Sequence, residues 1–355
     1  MKKYNAEVPM KRWCATFSFL YLTLSMAGAV FADGGLCGGV PKTDNVFQRQ
    51  RVRVVGSSTV FPFSSAMAEH FGVMTSFPAP IIESTGSGGG IHMFCRGVGS
   101  STPDVVNASR PITDAERRLC KKNKVVSVGE FILGQDGLVL ATMRQYKTLP
   151  QEISRHDLFK ALSAYVVQDG AVVKNPTKLW SDIRPEWPKQ PIKVLGAPPT
   201  AGSYDVFLHK ALKPICATFP PLKAKCGQIR NDGAYVAASE HSSVITHKLM
   251  QEPEAVGIIS YNFYKQNKDL LRSMSLEGEK PRLKSISEGR YPLSYQLYFY
   301  VKGEHFPLLP GLREWTQSLL HENSVGPSGN LVRLGLVPLD KKGRAQQRRM
   351  LKKLR

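Results

Sequence analysis

The chain has 355 residues, too long for one ordinary core and long enough for two domains of ordinary size. Its 42% hydrophobic and 21% charged content excludes a disordered chain, and 30 glycines with 24 prolines point to many turns. Of the net charge of +20, +3 falls in residues 1–32 and +8 in residues 341–355, which leaves +9 for a body suited to an anionic partner.

Lys2, Lys3, Lys11 and Arg12 precede an uncharged stretch from Trp13 to Ala32, with Val30 and Ala32 at the small-residue positions of a cleavage site. This layout predicts a signal peptide over residues 1–32 and a periplasmic mature chain starting near Asp33; a retained membrane anchor is the competing reading. Export favours disulfides over metal or redox roles for Cys37, Cys95, Cys120, Cys216 and Cys226, and no pair has the CxxC spacing of a zinc site. Pairing between sequence neighbours would join Cys95 to Cys120 and Cys216 to Cys226, each bond contributing roughly 3 kcal/mol, and would leave Cys37 unpaired. Buried free thiols are the alternative. No cofactor or metal is expected.

After a polar linker over residues 33–50, Arg51 to Val55 reads as a strand. Gly56, Ser57, Ser58 and Thr59 then lead into a helix with Phe63, Ala66, Met67 and Phe71 on one face. The same strand, small polar loop and helix recur twice. Ile81 and Ile82 precede Ser84 to Gly90, and Ile192 to Leu195 precede Gly196 to Ser203. Helix N-termini present unpaired N–H groups and the positive end of a dipole, glycine lets a ligand approach the backbone, and Ser or Thr adds a hydroxyl. Three such junctions predict an α/β fold that binds an anion. A fourth loop, Asp104 to Ile112, places Arg110 before a helix opened by a Thr113/Glu116 capping box, where a guanidinium can fork onto an oxyanion. An exposed surface arginine is the competing role. Residues 341–355 carry eight Lys/Arg and no acid, and read as a solvated, mobile tail.

Four segments, Gly56-Ser-Ser-Thr-Val-Phe-Pro, Thr85-Gly-Ser-Gly-Gly-Gly, Ala108-Ser-Arg-Pro-Ile and Gly202-Ser-Tyr-Asp, resemble the ligand loops of the phosphate-binding subunits of bacterial ABC importers. Asn231-Asp-Gly-Ala-Tyr, Ala255-Val-Gly-Ile-Ile-Ser-Tyr, Tyr291-Pro-Leu-Ser, Tyr300-Val-Lys and Leu334-Gly-Leu-Val-Pro-Leu extend the resemblance over residues 50 to 340 in family order. It implies a two-lobed type II periplasmic binding protein fold with a central ligand cleft and two crossover strands. The first crossing would fall near Gly134 to Ala141 and the second near Gly257 to Tyr261. Lobe one would comprise residues 51–140 and 255–340, and lobe two residues 141–254, including a helix around Asp157 to Ala164. Some relatives in this branch also carry cysteines at the four positions named, which supports the neighbour pairing.

Carried over by position, the resemblance implies ligand contacts from Ser58, Thr59 and the Val60 backbone, and from Ser87 and Gly88; in lobe two, Thr200, Gly202 and Ser203 are expected to add contacts, with a helix cap as the competing role of Ser203. Two loops depart from the family pattern, the third lobe-one loop at Arg110 and the lobe-two loop at Ala197 and at Ala201-Gly202-Ser203, where Ser-Gly-Thr is usual. Arg110 stands where many phosphate binders have an aspartate that accepts the proton of hydrogen phosphate, and Ala197 stands where an arginine is usual. Arg110 is therefore expected to supply the counter-charge. The implied function is capture of inorganic phosphate, or another tetrahedral oxyanion such as sulfate or arsenate, for the permease subunits of an ABC importer in the inner membrane. A monomer is expected, and no nucleic acid. An envelope phosphatase or hydrolase using Ser58 or Ser87 is the rival class, but neither serine lies in a G-x-S-x-G elbow or begins an S-x-x-K motif. His92 is the nearest base in sequence, with a surface histidine as its competing role.

Overall fold

A computed structural model describes residues 49–354. The expected signal peptide, most of the linker and Cys37 lie outside the described residues. The strands are β1 (Arg53–Gly56), β2 (Ile81–Ser84), β3 (Val105–Ala108), β4 (Val128–Met143), β5 (Glu152–Ile153), β6 (Tyr165–Gln168) and β7 (Ala171–Lys174). They continue with β8 (Val194–Gly196), β9 (Tyr235–Ala237), β10 (Val256–Ser260), β11 (Leu271–Ser273), β12 (Ser275–Leu276) and β13 (Ser294–Lys302). The helices that position the site are α1 (Phe61–Met74), α2 (Ser87–Phe94), α3 (Asp114–Lys122), α4 (Arg155–Leu162) and α5 (Gly202–Phe207).

The main sheet runs β2-β1-β3-β13-β4-β10-β8-β9, with β11 paired to β4. β1 is parallel to β2 and β3, as strand–helix crossovers require, whereas β13 is antiparallel to both β3 and β4. Lobe two repeats the arrangement with β10, β8 and β9 parallel. β4 joins the two halves. Its first part, to Gly137, pairs with β13, and Leu138 to Ala141 pair antiparallel with β10. Burial along β4 follows the same division, alternating from Val128 to Leu133 and becoming continuous from Asp136 onward. The two crossings expected near Gly134–Ala141 and Gly257–Tyr261 are thus antiparallel neighbours, with Gly257 opposite Ala141 and Ser260 opposite Leu138. Beyond the second crossing, β11 lies against the far end of β4, pairing with Ala141 to Met143, and β12 pairs with β5.

Local chemistry explains the helices near the site. Phe63, Met67 and Phe71 recur at i, i+4 and i+8 on α1 and are buried, with Phe71 edge-on to Trp315 at 5.6 Å. α2 begins at Ser87, so the glycine run read as a loop is the first turn of the helix. The reason is close packing: a side chain on Gly90 would start 2.5 Å from the Gly56 Cα. α3 carries the expected capping box, with Glu116 N–H donating to Thr113 Oγ1 at 3.3 Å and Thr113 N–H to Glu116 Oε2 at 2.8 Å. α4 covers the helix expected around Asp157 and opens with its own Ser154/Asp157 box. Disulfides join Cys95 to Cys120 and Cys216 to Cys226.

The C-terminal segment corrects the expectation of a mobile tail. Lys341–Lys353 form a helix capped by Asp340, with Arg344, Gln347 and Leu351 buried on one face. The Ile132 N–H donates to Gln347 Oε1 at 2.9 Å, and Arg344 bonds Glu322 and the Leu339 carbonyl. Eight cations hide a narrow packing stripe whose partners lie far away in sequence. Among the described residues, no helix is long and apolar enough to cross a membrane.

Candidate functional site

Four loops meet between the lobes. Lobe one supplies residues 57–60, 86–90 and 107–111, and lobe two supplies residues 197–203. The tightest approach is at Gly202, where a side chain would begin 2.3 Å from Ser109 Oγ and 2.7 Å from Ser87 Oγ. Those two hydroxyls are 3.2 Å apart, and the Ser109 N–H donates to Ser87 Oγ at 3.1 Å. The N-terminus of α5 therefore abuts that of α2 across the cleft. The first-turn amides of α2, on Ser87, Gly88 and Gly89, have no acceptor within the helix, and Ser203 lies in the first turn of α5. Ala201 occupies the N-cap position, so Ser203 is not the helix cap.

The remaining expected contacts are more committed. The Ser58 hydroxyl donates to the Glu240 carbonyl at 3.2 Å, a further link between the lobes. The amides of Thr59, Val60 and Phe61 turn back onto Ser57, through its hydroxyl at 3.2 Å and its carbonyl at 3.2 and 3.0 Å. Thr200 is exposed and turns its carbonyl oxygen, an acceptor, toward Gly86 and Gly88. Beside Ala197, the Tyr235 hydroxyl donates to the Ala197 carbonyl at 2.6 Å, so a tyrosine borders the position where the family pattern has arginine. His92 is exposed.

Arg110 reaches the cleft but is not a free counter-charge. Its Nη1 and Nη2 fork onto Glu116 at 2.9 and 2.8 Å, Nη1 also reaches the Pro111 carbonyl at 3.1 Å, and Nε reaches Asp205 of the opposite lobe at 3.1 Å. A guanidinium has five N–H donors, so this leaves one on Nη2, which lies 3.6 Å from where a Gly88 side chain would start. Burial opposes ionisation of Glu116, but hydrogen bonds from Arg110 and Thr113 outweigh it and hold the carboxyl below its ordinary range. Arg110 is thus a clamp between lobes with one donor left for a ligand. Its substitution by alanine is expected to weaken anion binding about tenfold, the value of one charge-assisted hydrogen bond at the lower end of its range, with the circular dichroism spectrum unchanged. Calorimetric titration checks this.

Sequence reasoning did not single out the floor of the cleft. Asp136, fully buried on β4, accepts from its neighbour's Gly137 N–H at 2.8 Å, from the Tyr261 N–H after the second crossing at 3.1 Å, and from the Tyr295 hydroxyl of β13 at 3.1 Å. The Thr59 side chain in turn hydrogen-bonds Tyr295. Burial pushes the Asp136 carboxyl up to about 7 against the opposing effect of these donors. One signal was legible: Asp136 is the sole acid in the apolar run from Phe131 to Met143. Ser109 and Asp205 were quoted in their loops without a role, and nothing in the sequence marked Glu240. Beside the cradle lies a cavity of about 970 Å³, bounded by Arg110, Gln135 and Tyr295 on one side and Asp205 and His209 on the other.

Comparison with known proteins agrees with this architecture. Residues 42–319 match the family model described as a PBP superfamily domain. The phosphate-binding protein PstS of Staphylococcus saprophyticus is 26% identical over 347 residues, covering 96% of this chain and 95% of its own. Protein SphX of Synechocystis is 25% identical, covering 82% of this chain and 79% of its own. Among solved structures, a possible phosphate binding protein from Planctomyces limnophilus aligns with a TM-score of 0.57 at 25% identity over 86% of this chain and 98% of its own. A putative phosphate ABC transporter substrate-binding protein from Clostridium perfringens, solved with bound phosphate, shares the fold with a TM-score of 0.62 at 17% identity, over 82% of this chain and all of its own. With its α/β lobes, paired crossing strands and a family match spanning most of its length, the chain belongs to the PBP superfamily.

Proposed function

We propose that this protein captures inorganic phosphate between its lobes, outside the cytoplasmic membrane, and delivers it to the permease subunits of an ABC importer. The observation that carries the reading is the convergence at Gly202, where the first turns of α2 and α5 meet around the Ser87 and Ser109 hydroxyls. Backbone amides at helix starts, serine hydroxyls and one remaining Arg110 donor form a set that satisfies a small oxyanion from both sides. Capture and closure need no chemical step, because the hinge only brings donors from two lobes onto one ligand. The N-terminal pattern of cations, apolar stretch and small residues supports export, and a monomer with a single cleft suffices for the task.

Titration of anion-free protein with phosphate, sulfate and arsenate in a calorimeter tests the reading. Phosphate is expected to bind most tightly with one site per chain. No heat with any of the three would reject oxyanion capture, and preferred binding of sulfate would assign a different anion to the same cleft.

A further inference from the structure

The family-type acceptor is absent at position 110, yet the cleft holds a carboxylate that the sequence did not reveal. Glu240 follows β9 in lobe two, and its backbone carbonyl receives the Ser58 hydroxyl of the first ligand loop. Its Oε2 lies 3.1 Å from the point where a side chain on Gly86 would begin, and the Thr200 carbonyl is 3.7 Å from the same point. Gly86 has φ +71 and immediately precedes α2. The Glu240 backbone thus ties to the first ligand loop, while its carboxylate and the Thr200 carbonyl both approach Gly86 at the start of α2.

Its surroundings define its chemistry. The Glu240 side chain is only 21% exposed, and its nearest basic group is His241 Nε2 at 3.9 Å. No hydrogen bond to its carboxylate is formed among the described residues, whereas Glu116 and Asp205 are both engaged by Arg110. An unsatisfied carboxylate beside a row of N–H donors repels a bare dianion and has lone pairs to accept a hydrogen. Phosphate brings such a hydrogen as a P–O–H group, and sulfate does not.

Building on the assignment of an oxyanion to this cleft, we propose that Glu240 is the specificity-determining acceptor of the protein. It accepts the P–O–H hydrogen of hydrogen phosphate from the lobe opposite Arg110 and rejects sulfate by leaving its carboxylate facing a proton-free oxygen. Glycine suits position 86, because its φ of +71 is one that other residues rarely adopt and an added Cβ would stand 3.1 Å from the carboxylate. The selectivity lost at position 110 is restored across the cleft and becomes effective only when the lobes close.

The test compares phosphate and sulfate affinities of the wild-type protein, Glu240→Gln and Glu240→Ala by calorimetry at about pH 8, where both ligands are chiefly dianions of similar size. Far-ultraviolet circular dichroism establishes folding of each variant. Either substitution is expected to lower the phosphate-to-sulfate affinity ratio at least tenfold, because the glutamine amide can donate to sulfate and alanine removes the repulsion. An unchanged ratio, including an equal rise in both affinities, would overturn the proposal and reduce Glu240 to background charge. Wild-type protein that binds both anions without preference would also overturn it while leaving oxyanion capture intact. Wild-type protein that binds neither would instead reject the functional assignment itself.

Discussion

Gly202→Ala is expected to weaken phosphate binding about thirtyfold or more while leaving each lobe folded. The added methyl would stand 2.3 Å from Ser109 Oγ, 2.7 Å from Ser87 Oγ and 3.2 Å from Ser87 Cβ. Relief can come only by swinging the two hydroxyls away or by holding the lobes apart. Either response removes ligand contacts, and overpacking of this kind costs about 2 kcal/mol, or some thirtyfold in affinity. Calorimetry gives the affinity, and small-angle scattering with saturating phosphate reports whether the variant stays more extended than the wild type. Wild-type affinity would mean that the closest approach between the lobes does not form around the ligand. Arg110→Ala provides a graded comparison, since it removes one donor without obstructing closure.

Asp136→Asn should change stability in a pH-dependent way. The folded protein holds this carboxyl near 7, far above its ordinary value, so folding favours the protonated form. The stabilisation is complete below the unfolded-state pKa and is lost as pH rises through about 7, where burial of the carboxylate becomes a cost. Asparagine retains an acceptor for Gly137 and Tyr261 and cannot ionise. Relative to wild type, the variant is expected to gain stability progressively from about pH 4 to pH 8, by on the order of 4 kcal/mol for a shift of this size. Urea denaturation of both proteins across that range isolates the difference, because titrations common to both cancel. A constant difference at every pH would show that Asp136 keeps an ordinary titration in the folded state. The groups facing Asp136 are Gly137 on its own strand, Tyr261 and Asn262 after the second crossing, and Tyr295 on β13, none of them charged at neutral pH.

These two residues sit at opposite ends of what the sequence made legible. Gly202 lay inside a motif because a close approach leaves a local mark, a glycine among small polar residues at a helix start. Ser87 and the Thr113/Glu116 box were legible for the same reason. Arg110 was legible as a residue but not in its role, since its partner Asp205 comes from 95 positions away and the other lobe. Glu240 carried no local pattern at all. It is a polar residue in a polar segment, and only closure of the cleft brings it against Gly86.

By itself, the sequence determined the α/β class and the strand-to-helix junctions, while the family resemblance implied the two crossings and supported the neighbouring cysteine pairs. The class and the junctions arise from short-range causes: side-chain periodicity, backbone permissiveness at glycine and capping chemistry. Tertiary structure alone decided which charges neutralise one another and which donors remain available. It clamped Arg110 between two carboxylates, buried Asp136 under the hinge, packed the cationic C-terminal segment as a helix, and carried Glu240 to the anion cradle. Electrostatic and hydrogen-bond partnerships depend on distance through space and on exclusion of water, and neither quantity is written in the order of residues along a chain.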